Sequence, residues 1–275
     1  MTADDGVRLW AESGGEGEEM MLLHGGPGLW DYLGPLAASL EDDHTVVRYD
    51  QRGAGRSDHT GPYSLDRFVA DCEDVRAEVS FERPVVAGHS WGAALALLYA
   101  LSHPERVRGV LYIAGIGFDW PRWRATFHHQ RLARLTPEER ARALELQHRH
   151  HLSFEEQREM AGLTWFTDYL DRGTAEEHVR PMLGEGFSLN RDSNRLLSRQ
   201  LDSTPAATWY QRLRSVTCPV LVVQGDADPR PLRAVDGMVE ALPRCERVVL
   251  PASHYPWIED PVGFQQAVGS WLDAL

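Results

Sequence analysis

The sequence predicts an α/β fold, in which a mostly parallel β-sheet is flanked by helices and a helical cap (lid) is inserted. Short apolar runs bounded by glycine or turn residues alternate with stretches of helical apolar spacing, which is typical of a parallel sheet covered on both faces. This alternation stops between residues 116 and 215, where only helical spacing is found. The chain has 275 residues, 43% of them hydrophobic, which is enough to bury such a core.

The core is predicted from residues 1–115 and 216–275, and the helical cap from residues 116–215. Candidate strands are residues 7–12, 20–24, 45–50, 84–88, 107–114, 220–224 and 247–250. Candidate helices are residues 36–40, 65–79, 93–102, 232–242 and 261–275. Within the cap, Thr-Pro-Glu-Glu at 136–139 predicts a helix start, because the Thr hydroxyl can accept a hydrogen bond from a free amide and Pro fits the first helical position.

The acidic composition of the chain narrows its expected partners. There are 28 Lys and Arg side chains against 41 Asp and Glu, a net charge of −13. Such a charge disfavours binding to nucleic acid or to an anionic membrane surface. We therefore expect a small-molecule or short-peptide substrate, and the exposed surface of the cap could pair subunits in a homo-oligomer. Every basic residue is an arginine, which excludes a mechanism that needs a lysine.

No metal, cofactor or membrane span is predicted. The three cysteines, Cys72, Cys218 and Cys245, are scattered without metal-ligand spacing, which suits free thiols in a reducing compartment. A glycine-rich phosphate loop is absent. No stretch approaches the roughly 18 apolar residues of a membrane span, and the first residues lack the basic start and apolar run of a signal peptide. A cytoplasmic location is expected.

Ser90 is the candidate nucleophile. Residues 84–97 have the pattern of a buried strand, a Gly-x-Ser-x-Gly turn and an apolar helix in direct succession. A strand that turns at once into a helix holds its Ser in a strained backbone conformation, and glycines on both sides avoid clashes of Cβ atoms with neighbouring chain. The hydroxyl then projects above the sheet at the positive end of a helix, which favours developing negative charge.

Two backbone amides are predicted to bind the negative oxygen of a reacting carbonyl group. A second glycine-rich loop, His-Gly-Gly-Pro-Gly at residues 24–28, follows a predicted strand. Glycines there let backbone N–H groups approach a substrate oxygen, and a tetrahedral intermediate needs two fixed donors at about 3 Å. The amides of Gly26 and Trp91 form the predicted oxyanion hole. His24 is expected to bond loop backbone rather than to move protons.

Asp228 and His254 are the candidate acid and base. Asp228 follows the apolar strand at 220–224 in a Gly-x-x-Asp turn, with Asp226 and, further away, Asp119 as alternatives. His254 lies in the loop between the last predicted strand and the last predicted helix, from which it can reach across the top of the sheet. Imidazole is suited to take a proton from a serine and return it to a leaving group at neutral pH.

Three segments together resemble the α/β-hydrolase superfamily, and most of all its prolyl iminopeptidase branch. The segments are residues 24–28, 49–57 and 88–92, and the resemblance extends over about residues 7–115 and 216–275. It implies an α/β-hydrolase fold and acyl transfer by Ser90, Asp228 and His254. It also implies that the oxyanion is bound by the amides of Gly26 and Trp91.

The cap departs from the iminopeptidase pattern. Members of that family use acidic lid residues, often within a Trp-x-x-Trp-Glu segment, to hold the free amino terminus of a substrate. Here the nearest segment, residues 165–168, reads Trp-Phe-Thr-Asp and lacks the second Trp and the Glu. Asp168 and Glu185 are the candidate amine anchors, and Trp165 is a candidate substrate-binding residue.

The sequence therefore predicts a serine hydrolase that works by nucleophilic acyl transfer through a Ser-His-Asp triad. A prolyl iminopeptidase-like aminopeptidase is the first interpretation, on the strength of the resemblance. A small-molecule ester (carboxylesterase-type), lactone or carbon–carbon bond hydrolase is the alternative. A non-hydrolytic ligand-binding protein on the same fold is a second alternative, because a fold does not determine a function.

Overall fold

The computed structural model describes all 275 residues and is built on one seven-stranded β-sheet. Its strands are β1 (Ala11–Gly14), β2 (Glu18–Leu23), β3 (His44–Tyr49), β4 (Val85–His89), β5 (Gly109–Ile113), β6 (Val220–Gly225) and β7 (Cys245–Leu250). Their order across the sheet is β1-β3-β2-β4-β5-β6-β7, and all neighbours are parallel except β1, which runs antiparallel to β3. The predicted mostly parallel sheet is confirmed.

Twelve α-helices surround this sheet. They are α1 (Gly34–Ala38), α2 (Leu65–Glu78), α3 (Trp91–Ser102), α4 (Trp120–Ala133), α5 (Pro137–Gln147), α6 (Phe154–Trp165), α7 (Arg172–Met182), α8 (Arg191–Ser203), α9 (Ala206–Leu213), α10 (Asp236–Ala241), α11 (Pro256–Glu259) and α12 (Pro261–Leu272). Helices α4 to α9 lie between β5 and β6 with no strand among them; we call this stretch, residues 116–215, the cap. None of the helices is long and apolar enough to cross a membrane.

The central strands are buried on both faces. Every residue of β4, β5 and β6 is buried, as expected for parallel strands covered by helices on both sides. One face packs against α2 and α3, and the other against α1 and α12. Because parallel strands end at the same edge of a sheet, the loops that follow them meet there, and this is where ligands bind in folds of this class.

Most predicted elements differ from the structure by a few residues at their ends, and two differ most. The first strand was expected at residues 7–12, but β1 begins at Ala11, because the residues before it pair among themselves: Leu9 N donates to Met1 O. The helix expected at 232–242 begins with a short 3₁₀ turn, in which Ala234 N donates a hydrogen bond to Pro231 O. It then continues as α10.

Two helices of the cap begin with capping boxes. The Thr136 side chain accepts a hydrogen bond from Glu139 N, and the Glu139 side chain accepts one from Thr136 N. Ser153 and Glu156 make the same pair of bonds at the start of α6. Each box satisfies two backbone amides that the helix itself leaves free. The helix start predicted at 136–139 is confirmed.

Gly92 and Gly269 provide a matched test of how tightly α3 lies against the sheet. A Cβ on Gly92 would come 2.0 Å from Leu23 O, whereas a Cβ on Gly269 in α12 has no neighbouring heavy atom within 4 Å. Gly92→Ala should lower the free energy of unfolding by about 2–3 kcal/mol through this clash. Gly269→Ala should raise it by about 0.5–1 kcal/mol, because Ala is the better helix former. Urea denaturation followed by circular dichroism measures both; a Gly92→Ala variant as stable as the wild type would show that α3 can move away from β2.

Candidate active site

Ser90 forms the tight turn between β4 and α3. Its backbone has φ 57° and ψ −116°, a conformation that residues with a Cβ rarely adopt. Ser90 N donates to Ile113 O on the neighbouring strand at 2.9 Å, which holds the turn in place. Gly88 and Gly92 must lack side chains here, since a Cβ on Gly88 would lie 2.0 Å from Gly92 O. The turn therefore presents Ser90 at the carboxyl edge of the sheet, at the start of a helix.

Asp228 and His254 form a buried hydrogen-bonded pair. His254 Nδ1 donates to Asp228 Oδ2 at 2.6 Å, and the two side chains are 3% (His254) and 5% (Asp228) exposed. They lie on the loops after β7 and β6, two neighbouring parallel strands that end at the same edge of the sheet. Of the alternative acids, Asp226 is exposed and Asp119 precedes α4, and neither bonds His254.

The surroundings of Asp228 keep it a carboxylate at neutral pH. Burial by itself raises the pKa of Asp228, but the nearby His254 and Arg230 outweigh burial and hold this pKa well below its usual range. The carboxylate needs a donor at Oδ2, so Nδ1 of His254 carries the proton and Nε2 of the neutral ring is free to accept one. Ser90 Oγ and this Nε2 are not hydrogen-bonded in this conformation.

Gly26, Ser90 and Trp91 line one cavity of about 360 Å³. Gly26 has a φ of +133°, and a Cβ there would approach Gly28 N and Leu29 N at 2.9 Å, so this turn requires glycine. The Gly26 amide has no acceptor within the protein. Trp91 is the first residue of α3, where backbone amides lack intrahelical acceptors. Gly26 and Trp91, which both border the cavity beside Ser90, therefore each carry a free backbone N–H group.

Gln51 ties the loop of residues 24–28, which we call the oxyanion loop after its predicted role, to the start of α3. This connection was missed at the level of sequence. The backbone N of Gln51 donates to Nε2 of the fully buried His24 at 2.9 Å, and its side-chain amide donates to His24 O at 2.7 Å. Its side-chain oxygen accepts from Trp91 Nε1 at 2.9 Å. Gln51 lies within residues 49–57, one of the three segments that carry the family resemblance, and this was the one available signal.

A second network joins the oxyanion loop to the loop that carries His254. His89 Nε2 lies 2.9 Å from His254 O, which can only accept, so this Nε2 carries the proton. His89 Nδ1 then accepts from the Tyr32 hydroxyl at 2.6 Å, and that hydroxyl accepts from Gly25 N at 3.0 Å. Burial lowers the pKa of His89 well below its usual value, which keeps the ring neutral. No sequence signal marks Tyr32, because only the fold brings it to His89.

Aromatic and charged side chains share the lining of the cavity around Ser90. Trp120 and Phe127 of the cap supply aromatic surface. Arg124 and Arg230 supply guanidinium groups, and Asp202 is the one carboxylate. Arg124 and Asp202 form a salt bridge with each other, so the lining contains no unpaired carboxylate. No group of three or more His, Cys, Asp or Glu side chains in the protein is arranged to hold a metal ion.

The three cap residues predicted to bind substrate lie in different places. Asp168 is 2% exposed, does not line the cavity and pairs with Arg230 at 2.6 Å. Glu185 is exposed in the turn after α7 and lines no cavity near Ser90. Trp165 lines a second cavity, of about 300 Å³, which adjoins the first at Gly26. An amine anchor needs an unpaired carboxylate that faces the substrate, and neither acid meets this requirement here.

The chain belongs to the α/β hydrolase fold family, whose model matches residues 20–261. The resemblance to this superfamily and the predicted fold are thereby confirmed. A proline iminopeptidase from Heyndrickxia coagulans is 24% identical over 273 residues, which cover 96% of this chain and 93% of that protein. The predicted resemblance to prolyl iminopeptidases is thus found over nearly the whole chain.

Solved structures with the same fold have different activities. The proline iminopeptidase of Mycobacterium smegmatis superposes with a TM-score of 0.71 at 21% identity, covering 98% of this chain and 95% of its own. The enol-lactonase of Burkholderia xenovorans LB400 superposes with a TM-score of 0.72 at 20% identity, covering 97% of each chain. At such identities the similarity establishes the fold and leaves the substrate open.

His24 and His89 make the stability of the fold depend on pH. Burial lowers the pKa of both imidazoles below the ordinary value of 6.5. As the pH falls below about 6.5, the unfolded chain takes up protons at these rings that the folded chain does not, so stability falls by up to about 1.4 kcal/mol per pH unit for each ring.

Urea denaturation between pH 7.5 and pH 5.5 measures this slope. We expect His89→Asn to make the free energy of unfolding depend less steeply on pH, by the contribution of about one proton, because it removes one of the two buried rings. The matched control is His150→Asn, which replaces a histidine exposed to solvent and should leave the slope unchanged. Equal slopes for the wild type and His89→Asn would contradict the assignment of a neutral buried ring.

Proposed function

We propose that the protein is a serine hydrolase that transfers the acyl group of its substrate through Ser90, His254 and Asp228. The observation that carries this proposal is the buried hydrogen bond of 2.6 Å between His254 and Asp228, on loops at the same sheet edge as the strained Ser90 turn. Membership in the α/β hydrolase fold family supports it. So does the order Ser, Asp, His along the chain, which is the order typical of catalytic triads on this fold.

In the proposed reaction, Ser90 Oγ attacks the substrate carbonyl carbon while His254 Nε2 takes the hydroxyl proton. Asp228 stabilises the imidazolium that forms, and the amides of Gly26 and Trp91 bind the negative oxygen. The imidazolium then gives its proton to the leaving alcohol or amine, and the acyl group stays on Ser90. Water attacks the acyl-enzyme with His254 as the base, which releases the acid and restores the hydroxyl.

Within this class, the cavity favours a small ester or lactone substrate. A substrate with a free amino terminus needs a carboxylate to balance its charge, because binding energy from that group positions the scissile bond. Asp202 is already paired with Arg124, and Asp168 with Arg230. Both guanidinium groups of the lining are occupied in the same salt bridges, so what the cavity offers is mainly the aromatic surface of Trp120 and Phe127, which suits an uncharged substrate.

A prolyl aminopeptidase is the second candidate. It is supported by the His-Gly-Gly-Pro-Gly and Gly-His-Ser-Trp-Gly motifs and by the similarity to the Heyndrickxia coagulans proline iminopeptidase over 96% of this chain. This activity would require the salt bridge between Arg124 and Asp202 to open, so that Asp202 can meet the ammonium group of the substrate. Asp202→Asn should then abolish peptidase turnover and leave ester turnover in place.

Parallel turnover assays separate these activities. The substrates are p-nitrophenyl acetate, a γ-lactone, prolyl p-nitroanilide and alanyl p-nitroanilide, each tested with wild type, Ser90→Ala and Ser198→Ala. Ser198 lines the same cavity and lies outside the proposed triad, so it is the matched control. Ser90→Ala should lower kcat/KM for the ester or the lactone by at least about 10⁴-fold, as loss of a catalytic serine does. Ser198→Ala should leave turnover largely intact.

Other results would decide between the remaining interpretations. Turnover of prolyl p-nitroanilide that depends on Ser90 and is lost in Asp202→Asn would establish the aminopeptidase. Turnover that survives Ser90→Ala would contradict the proposed nucleophile. No turnover of any substrate, together with no labelling of Ser90 by an organophosphate, would favour a non-hydrolytic ligand-binding protein.

A further inference from the structure

Asp168 of the cap contacts both partners of the acid–base pair, one of them through Arg230. Asp168 O accepts from His254 N at 3.0 Å. Its carboxylate accepts from Arg230 Nη1 at 2.6 Å, and the same Nη1 donates to Asp228 Oδ1 at 3.2 Å. Arg230 N also donates to Asp228 Oδ1, at 2.8 Å. The four residues form one connected network, to which the cap contributes only Asp168.

We propose that Arg230 and Asp168 are positioning residues that orient Asp228 and balance the charge that protonation of His254 creates. This inference rests on the proposed function, since it uses the roles given there to Asp228 and His254. Arg230 occupies Oδ1 of Asp228 with two donors, which leaves Oδ2 to His254 alone. Asp168 neutralises the guanidinium, which would otherwise compete with the imidazolium for the charge of Asp228.

The charged side chains of this network do not balance while His254 is neutral. Two carboxylates, Asp168 and Asp228, face one guanidinium, Arg230, and none of these side chains is more than 13% exposed. The network has a net charge of −1 with a neutral His254 and becomes neutral when the ring takes up a proton. Water screens little in a buried site, so adding or removing one charge there strongly changes the cost of that proton.

Other ionisable groups surround His254 from the elements packed around it. The uncharged ones are His89, Tyr32, Tyr169 and Tyr255, because burial lowers the pKa of the histidine and raises the pKa of each tyrosine. The charged ones are Arg131 and Arg134 of the cap and Glu259 of α11. Arg134 donates to Ser253 Oγ and Glu259 accepts from Ser253 N, while Arg131 bonds Thr164. None of these three bonds the side chain of Asp228 or His254, but Arg131 and Arg134 lie close enough to act on Asp168 and Arg230 through their charge. Their charges stay the same in every variant described below, so a difference between variants reports on Asp168 and Arg230.

Two single substitutions should act in opposite directions. Asp168→Asn leaves the guanidinium unbalanced, so protonation of His254 becomes less favourable and its titration midpoint should move to lower pH. Arg230→Met leaves two carboxylates unbalanced, so the midpoint should move to higher pH. Each displacement should be about one pH unit, as expected for one neighbouring charge. The double variant should return towards the wild type, and Arg230→Lys, which keeps the charge, should stay close to it.

The midpoint is measured in the full chain by two independent methods. NMR of protein labelled with [¹⁵N]histidine follows the His254 ring itself, with His254→Asn to assign its signal. The pH dependence of the reaction of Ser90 with diethyl p-nitrophenyl phosphate follows reactivity, read as a stoichiometric burst of p-nitrophenolate. Circular dichroism checks that each variant is folded. If Arg230→Met does not fold, Arg230→Gln takes its place, because it also removes the charge and keeps a donor for Asp228.

The two measurements together test this inference separately from the proposed function. Opposite displacements in the NMR titration, together with labelling of Ser90, support both. Opposite displacements without labelling support the positioning pair and count against the hydrolase. Equal midpoints, or displacements in the same direction, in the two folded variants overturn the inference whether or not Ser90 is labelled. A residue with a merely structural role would lower reactivity without producing opposite displacements.

Discussion

The rest of the site depends on the strained turn at Ser90. β4 ends and α3 begins within one residue, which is possible only because Gly88 and Gly92 carry no side chains where α3 lies against the sheet. This turn sets the height of Ser90 above the carboxyl edge of the sheet. Since the other parallel strands end at the same edge, the loops after β2, β6 and β7 are brought around Ser90 by sheet pairing.

Hydrogen bonds between these loops then hold the candidate groups in place. Gln51 joins the oxyanion loop to α3, His89 joins it through Tyr32 to the loop of His254, and Arg230 joins Asp228 to the cap. A buried polar group that loses its partner costs about 1–3 kcal/mol. These three connections therefore both stabilise the loops and restrict them to one relative arrangement.

The cap has two roles at this edge of the sheet. It supplies aromatic and charged side chains to the cavity around Ser90, and through Asp168 it reaches the hydrogen-bonded pair of Asp228 and His254. Asp168 shows why a cap residue is hard to interpret from sequence. A carboxylate can anchor a substrate amine only if no protein cation already occupies it, and the cation that pairs with Asp168 lies 62 residues away along the chain. A change in the cap can therefore alter both the cavity around Ser90 and the charge beside His254.

The sequence by itself determined the mostly parallel sheet, the strand, turn and helix around Ser90, and the expectation that Asp228 and His254 meet, whose Oδ2 and Nδ1 atoms lie 2.6 Å apart. These inferences succeed because apolar runs, glycine spacing and loop order are local patterns. Only the tertiary structure decided the partners of Asp168 and Tyr32, because each pairs with a residue more than 50 positions away. With 41 acidic side chains and 28 arginines, no local pattern records which carboxylate meets which guanidinium.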